Sequence, residues 1–215
     1  MVSRAHYKQI TLWRNLLSIG FWWILLSMGI YGGIHSILAG QRPRLLARRL
    51  FGAAGRRWYR LAYNLQAGFL LVLVLALVRL LPDTVIYRIP MPIMLVTMAL
   101  QGIAILAMIF VVHETGILTF VGLSSEEARP PHLVTDGLYH WLRHPLYTGS
   151  LLVVWLFPTM SWNLLAFNIG ATIYILIGIR FEERRLLREY GKKYGDYRKK
   201  TGMLFPKPIF GKKNS

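Results

Sequence analysis

Long apolar runs, separated by short clusters of basic and polar residues, dominate the pattern of this chain. Uncharged stretches of about 18 or more residues are long enough to cross a bilayer as helices. The pattern predicts such spans at Leu16–Leu38, Leu61–Val78 and Met91–Val112. The last uncharged stretch, Pro145–Ile179, is too long for one helix across a hydrocarbon core of about 30 Å, and a proline in the polar cluster at 158–163 predicts a turn inside it. We therefore predict two spans there, one of them short, and five in total.

These elements predict an all-α integral membrane protein with about five transmembrane helices. After the last span, the residues from Phe181 to about Lys200 are expected to continue as a helix, because apolar residues recur at helical spacing from Glu183 to Tyr197. We divide the chain into residues 1–112, with the three N-terminal spans, and residues 113–215. The second part contains a long loop, the hairpin at 145–179 and the amphipathic tail.

Composition supports a membrane location. The chain of 215 residues is 54% hydrophobic and only 16% charged, whereas soluble domains carry about 25% charged residues. The net charge of +17 could suggest a nucleic-acid partner, but the basic residues lie between apolar runs. We therefore predict membrane lipids, and no nucleic acid, as partners. The absence of Cys excludes disulfides, Cys metal ligands and a Cys nucleophile.

The distribution of Lys and Arg predicts the orientation. With five spans, the loops at 42–60 and 114–143 share one side with the tail from Arg180, and together they hold 21 of the 26 basic residues. The positive-inside rule then places the tail in the cytoplasm and the N-terminus outside. The first apolar run is longer than that of a signal peptide and lacks a clear cleavage site, so we expect it to remain as a span of a multi-pass protein.

Arg143, His144 and Pro145 stand at the start of the fourth span. Proline suits the first turn of a helix, where its missing N–H would be unpaired in any case. His144 is therefore expected at a helix N-terminus, whose free N–H groups and dipole attract anions such as a carboxylate. The alternative is that Arg143 and His144 only reach toward lipid headgroups, as is common at the ends of spans.

Glu182 and Glu183 follow the last span. Helical spacing places Glu183 within the apolar face of the tail helix and Glu182 at its edge. A carboxylate on a buried face is costly unless it is paired. Salt bridges to Arg180, Arg184 or Arg143 would satisfy it. The functional alternative is a carboxylate that accepts a ligand's amino group or faces a cationic sulfonium.

Other polar residues give weaker signals. His35 lies at membrane depth, where such residues are often functional, although a histidine in a helix contact explains it as well. His113 and Glu114 lack a third ligand at suitable spacing, so no metal is predicted. The chain contains no phosphate-binding loop, no dinucleotide fingerprint and no nucleophile elbow.

Between Pro131 and Pro206, several motifs occur in order: Leu133-Val134-Thr135-x-Gly137-x-Tyr139, Arg143-His144-Pro145-x-Tyr147-x-Gly149, Glu182-Glu183, Tyr190-Gly191-x-x-Tyr194-x-x-Tyr197-Arg198 and Phe205-Pro206. This order resembles the integral membrane methyltransferases that use S-adenosylmethionine. That group contains the isoprenylcysteine carboxyl methyltransferases and the phospholipid methyltransferases. Ile179-Arg180-x-Glu182-Glu183 and Met203-Leu204-x-Pro206 look most like the bacterial branch that acts on methanethiol or related small thiols.

The resemblance implies a bacterial inner-membrane enzyme that moves a methyl group from S-adenosyl-L-methionine to a small thiol or a lipid-like acceptor. It implies a cytoplasmic cofactor pocket, capped by the tail helix. The cofactor contacts that it implies are Pro131, His132, Leu133, Val134, Tyr139, His144, Pro145, Leu146, Tyr147, Glu182 and Glu183. For catalysis, a cation such as Arg143 or Arg180 would favour a thiolate, and His144 is the obvious titrating group where an acceptor needs a base.

Three alternatives stay open. Within the family, the acceptor could be an isoprenylcysteine carboxylate or a phospholipid amine. A membrane reductase that uses NADPH has a similar C-terminal Arg-His-Pro region, but such reductases are usually much larger. A small non-enzymatic transporter would need more polar residues inside the spans than this sequence contains.

Overall fold

The computed structural model describes residues 4–116 and 133–207. In chain order the elements are α1 (Arg4–Ala39), α2 (Gln41–Leu80), β1 (Val85–Arg88), α3 (Met91–Thr115), α4 (Leu138–Trp141), α5 (Pro145–Trp155), β2 (Thr159–Ser161) and α6 (Trp162–Lys200).

Four of these helices are long and apolar enough to cross a membrane, counting only the described residues. They comprise Ile19–Ala39, Trp58–Leu80, Met91–Glu114 and the apolar part of Trp162–Lys200. Helix α5 is apolar but only 11 residues long, as expected for the short arm of the hairpin. Large apolar side chains remain exposed along these helices, because those surfaces face lipid. The prediction of an all-α integral membrane protein is confirmed.

A group of three helices and one helix pair build the bundle. Helix α1 packs along α2 and α6 around a core of Ile24, Met28, Val74, Ala166 and Phe167. Helix α3 packs against α5, where a Cβ on Gly149 would lie 2.6 Å from the Met108 side chain. This glycine therefore permits the close approach of the two helices. The division of the chain between residues 112 and 113 stays a prediction, and the α3–α5 contact crosses it.

The hairpin between α5 and α6 turns at the expected polar cluster. Here β1 and β2 pair antiparallel, a small sheet that the sequence pattern did not predict. Asn163 is fully buried, and its side-chain amide donates to the carbonyls of Leu81 and Pro82 at 3.2 and 3.3 Å. Its backbone N–H donates to Asp83 at 3.1 Å. These bonds fasten the turn to the end of α2.

Helix α6 extends well beyond the bilayer. Its 39 residues correspond to a length of about 58 Å at 1.5 Å per residue, against a hydrocarbon core of about 30 Å. Gly191 interrupts the helix with φ 52° and ψ −126°, a conformation that is open essentially only to glycine. The kink brings residues 192–200 against the segment before α5, where the Tyr197 hydroxyl donates to the carbonyl of Tyr139 at 2.6 Å.

The residues after α6 fix the backbone at the start of α5. The N–H of Arg143 donates to the carbonyl of Gly202 at 2.8 Å, and the N–H of His144 donates to the carbonyl of Met203 at 3.2 Å. A Cβ on Gly202 would lie 1.8 Å from the carbonyl oxygen of Phe205, so only glycine fits this close contact. The C-terminal segment therefore determines where Arg143 and His144 stand.

Candidate functional site

A cavity of about 700 Å³ lies where α3, α5 and α6 meet, at the end of the bundle that carries the tail. Its apolar wall comes from α3 and consists of Ile105, Met108, Ile109 and Val112. The facing wall is more polar and aromatic: Tyr139, Arg143, His144, Pro145, Leu146, Tyr147, Ser150 and Glu182. Small-molecule sites usually have volumes of about 300–1,000 Å³ and combine apolar walls with a few polar groups.

Glu183 is neutralised by two arginines behind this wall. Arg143 donates from Nε to one carboxylate oxygen at 2.7 Å, and a terminal nitrogen of the same guanidinium lies 2.7 Å from that oxygen. Arg198 approaches the other oxygen at 3.4 Å. Burial raises the pKa of Glu183, but the hydrogen bonds and charges of its partners, Arg143 first, outweigh burial and hold the pKa below its ordinary value. Glu183 therefore forms the salt bridge to Arg143 that the sequence allowed as one alternative.

The guanidinium of Arg143 is occupied by these contacts. Besides Glu183, it donates to the backbone carbonyls of Arg198 at 3.1 Å and Thr201 at 2.5 Å. Its side chain is only 7% exposed. Arg143 therefore ties the start of α5 to the end of α6.

Glu182 is the carboxylate that faces the cavity. Its side chain is 33% exposed, against 10% for Glu183. Among the described residues, no Lys or Arg forms a salt bridge with it, and its ion-pair partner is His144 Nδ1 at 3.7 Å. Glu182 also interacts with the hydroxyl of Tyr147. Burial, and after it the charge of Glu182, raises the pKa of Tyr139. A negative charge is thus directed into the cavity.

His144 lies between the two carboxylates. It is the N-cap residue of α5 and is buried. Its Nε2 lies 3.4 Å from Glu183 and its Nδ1 lies 3.7 Å from Glu182. Burial lowers the pKa of His144 below its ordinary value, although both carboxylates oppose the shift. A carboxylate thus lies beside each ring nitrogen of His144.

Seven residues of the predicted site line the cavity: Tyr139, Arg143, His144, Pro145, Leu146, Tyr147 and Glu182. Glu183 lies behind them, paired with Arg143. Leu133 and Val134 precede α4 and do not line the cavity. Arg180 is exposed on α6 and does not line the cavity either. Pro131–His132 lie outside the described residues.

Sequence reasoning did not find the wall from α3. This helix is apolar all round, so no periodicity indicates which of its faces lines a site. It also did not find Ser150, or the contacts of Arg198 and Thr201 with Arg143, which depend on the kink at Gly191. In the described part of the chain, no group of three or more His, Asp or Glu residues could hold a metal ion.

His35 lies away from the cavity, in a contact between helices. Its Nε2 shares a hydrogen bond with the hydroxyl of Tyr63 on α2. The rings of Tyr31 and Tyr174 pack against it from α1 and α6. These contacts are those of a histidine that holds α1, α2 and α6 together.

Fold and cavity together define a helical integral membrane protein with a charged pocket at one end of its bundle. Residues 91–193 match the family model of phospholipid methyltransferase. The match runs from the start of α3 to Lys193 on α6, just after the kink at Gly191. It therefore contains both walls of the cavity. It confirms the predicted resemblance to integral membrane methyltransferases.

Named relatives agree with this family. The chain is 31% identical over 190 residues to methanethiol S-methyltransferase 1 of Bradyrhizobium diazoefficiens, which covers 85% of this chain and 65% of the relative. It is 48% identical over 71 residues to the methanethiol S-methyltransferase of Mycobacterium tuberculosis, or 33% of this chain and 29% of that protein. Over 122 residues it is 31% identical to the protein-S-isoprenylcysteine O-methyltransferase of Dictyostelium discoideum, about half of each chain.

The chain thus spans less than two thirds of the length of the first of these relatives, and less than a third of the second. No solved structure matches the chain.

Proposed function

We propose that the chain is a methyltransferase that uses S-adenosyl-L-methionine and methylates a small thiol at the cytoplasmic surface of a bacterial inner membrane. The single observation that carries the proposal is the different surroundings of Glu182 and Glu183. Glu183 is buried between Arg143 and Arg198, whereas Glu182 faces a cavity of about 700 Å³ and forms no salt bridge with any Lys or Arg of the described residues. The names of the methanethiol S-methyltransferase relatives support the reaction class.

The residues of the cavity fit this cofactor. S-Adenosyl-L-methionine carries a cationic sulfonium and an amino group, and when bound it would supply an electrophilic methyl group. The carboxylate of Glu182 would hold the cationic end, since hydrogen bonds to charged groups are stronger than neutral ones. Tyr139 and Tyr147 border the same space and would orient the ligand beside His144.

His144 would accept the proton of the thiol. Thiols must become thiolates to act as nucleophiles. Burial lowers the pKa of His144, which favours the neutral imidazole that is able to take a proton. The two carboxylates beside it would stabilise the resulting cation. In this proposal Arg143 positions Glu183 and His144, because its N–H groups are already bonded. The catalytic role of Arg180 stays a prediction.

The wall from α3 would select an apolar acceptor. Ile105 and Ile109 line the cavity and are also exposed on the bundle surface, so this wall touches both the cavity and the lipid. A neutral thiol dissolved in the membrane fits such a wall. The same feature favours an isoprenylcysteine carboxylate as the second candidate, in line with the name of the Dictyostelium relative. Methyl transfer to methanethiol, to an isoprenylcysteine and to phosphatidylethanolamine would distinguish the acceptors.

Substitution of Glu182 tests the proposed cofactor site. Glu182→Gln should weaken the binding of S-adenosyl-L-methionine about ten- to hundred-fold, because a charge-assisted hydrogen bond is worth about 1.5–3 kcal/mol. Its thermal stability should stay close to that of the wild type. Isothermal titration calorimetry on purified protein measures the affinity. Wild-type affinity in a folded Glu182→Gln protein would contradict the proposed cofactor site.

A further inference from the structure

The first part of α2 is a basic amphipathic helix that stands apart from the span. Helix α2 begins at Gln41, but Gly52 interrupts it with φ 57° and ψ −132°. The apolar part of α2 that can cross a membrane begins only at Trp58. Residues 41–51, called here the basic helix, therefore lie between the end of span α1 and the start of the next span.

Four arginines of the basic helix carry charge that nothing in the described chain neutralises. Arg42, Arg44, Arg48 and Arg49 are all exposed. No salt bridge within residues 19–116 and 133–207 involves them, and the sequence contains no Asp or Glu before Asp83. The four charges are therefore available to attract an anionic partner outside this part of the chain.

The apolar residues of the basic helix fall on the opposite side from these arginines. At 100° per residue, Leu46, Leu50 and Phe51 occupy an arc of about 140°, while the four arginines lie in the remaining arc. Leu50 and Phe51 are 66% and 68% exposed, so no described element covers this face. Leu45 is also apolar and lies among the arginines.

We infer that the basic helix binds the anionic headgroups of the bilayer, with Leu46, Leu50 and Phe51 inserted among the acyl chains. Helices of this composition lie in the interface plane, and each arginine near an anionic surface adds to the attraction. The position of the basic helix in the chain agrees with a place at the membrane surface, because both of its ends lead into spans that enter the bilayer on the same side. A nucleic acid would satisfy the arginines but would leave the apolar arc in water.

Native mass spectrometry tests the attraction between these arginines and anionic headgroups. The full-length protein is released from vesicles of equal parts phosphatidylcholine and phosphatidylglycerol. The wild type should retain phosphatidylglycerol in preference to phosphatidylcholine. One arginine near an anionic surface contributes up to about fivefold, so R42Q/R44Q/R48Q/R49Q should reduce this preference by more than about tenfold, and by up to about 600-fold where the four contributions are independent. The matched control, K192Q/K193Q/K199Q/K200Q, removes the same charge from the exposed end of α6 and should keep the preference.

Retention of the preference in the arginine variant, or an equal loss in the lysine control, would overturn the inference. Substitution of the same four arginines by lysine should preserve the preference, which separates loss of charge from misfolding. Because the chain lacks Cys, single cysteines can report the orientation. A fluorophore at Leu50→Cys should be quenched by brominated lipid, whereas one at Gln41→Cys should be quenched by aqueous iodide. The opposite pattern would also refute the interfacial position.

Discussion

Removal of the Glu183 charge should mainly lower the stability of the protein, and only secondarily its affinity for a ligand. In Glu183→Gln, the buried guanidinium of Arg143 would lose its counter-ion, and Arg198 would lose its partner. Breaking a buried ion pair by removing one member costs about 3–5 kcal/mol. Arg143 keeps its bonds to the carbonyls of Arg198 and Thr201, so we expect the lower end, about 3 kcal/mol. For a chain of this size, that corresponds to a fall of about 6–12 °C in Tm.

Intrinsic fluorescence during heating measures this change in detergent micelles, since the chain contains 7 Trp residues. The matched control is Glu189→Gln, which neutralises an exposed carboxylate on the same helix and should shift Tm by about 1 °C or less. If Glu183→Gln unfolds at the wild-type temperature, the ion pair does not hold the end of α6 on α5. The description of Arg143 as a structural tie would then be wrong.

Two further predictions concern the kink and the histidine. Gly191→Ala should lower Tm by several degrees, because a positive φ with ψ near −126° costs a residue with a Cβ about 1–3 kcal/mol. The control Gly195→Ala should not lower Tm, because an added Cβ there meets nothing within 4 Å. Equal shifts of the two variants in thermal scans would contradict the strained kink. Because the pKa of His144 is lowered in the folded state, mainly by burial, the unfolded chain binds more protons just below pH 6.5, so Tm should fall as the pH drops from about 7.5 to 5.5. The fall should be smaller in His144→Gln but unchanged in His140→Gln, an exposed histidine, and a full-sized fall in His144→Gln would show that another group is responsible.

The positions of the long apolar helices were predictable because the bilayer imposes a simple rule on the sequence. Each span must be a long uncharged run, and the proline near the polar cluster at 158–163 has a local preference for a turn. The pairing of β1 with β2 was not predictable, since it joins residues far apart in the chain through a four-residue and a three-residue strand. Short strands of this kind carry no recognisable alternation.

The polar half of the candidate site was also predictable, but its apolar half was not. His144, Tyr147 and Glu182 belong to motifs whose order resembles a known family, and all three line the cavity. The wall from α3 comes from a helix whose faces are equally apolar, so only its packing against α5 decides which residues face inward. The sequence also left open which glutamate is paired, because several arginines lay within reach of both.

Adjacent glutamates on one helix can serve two purposes because they point about 100° apart. The pairing of Glu183 with Arg143 fixes the rotation of α6 against α5. With that rotation fixed, Glu182 must face the cavity and His144 must lie between the two carboxylates. A change that frees Glu183 therefore also moves the charge of Glu182. For this reason, Glu183→Gln should weaken the binding of S-adenosyl-L-methionine only as far as it loosens the helix pair, whereas Glu182→Gln should weaken binding in a protein that remains as stable as the wild type.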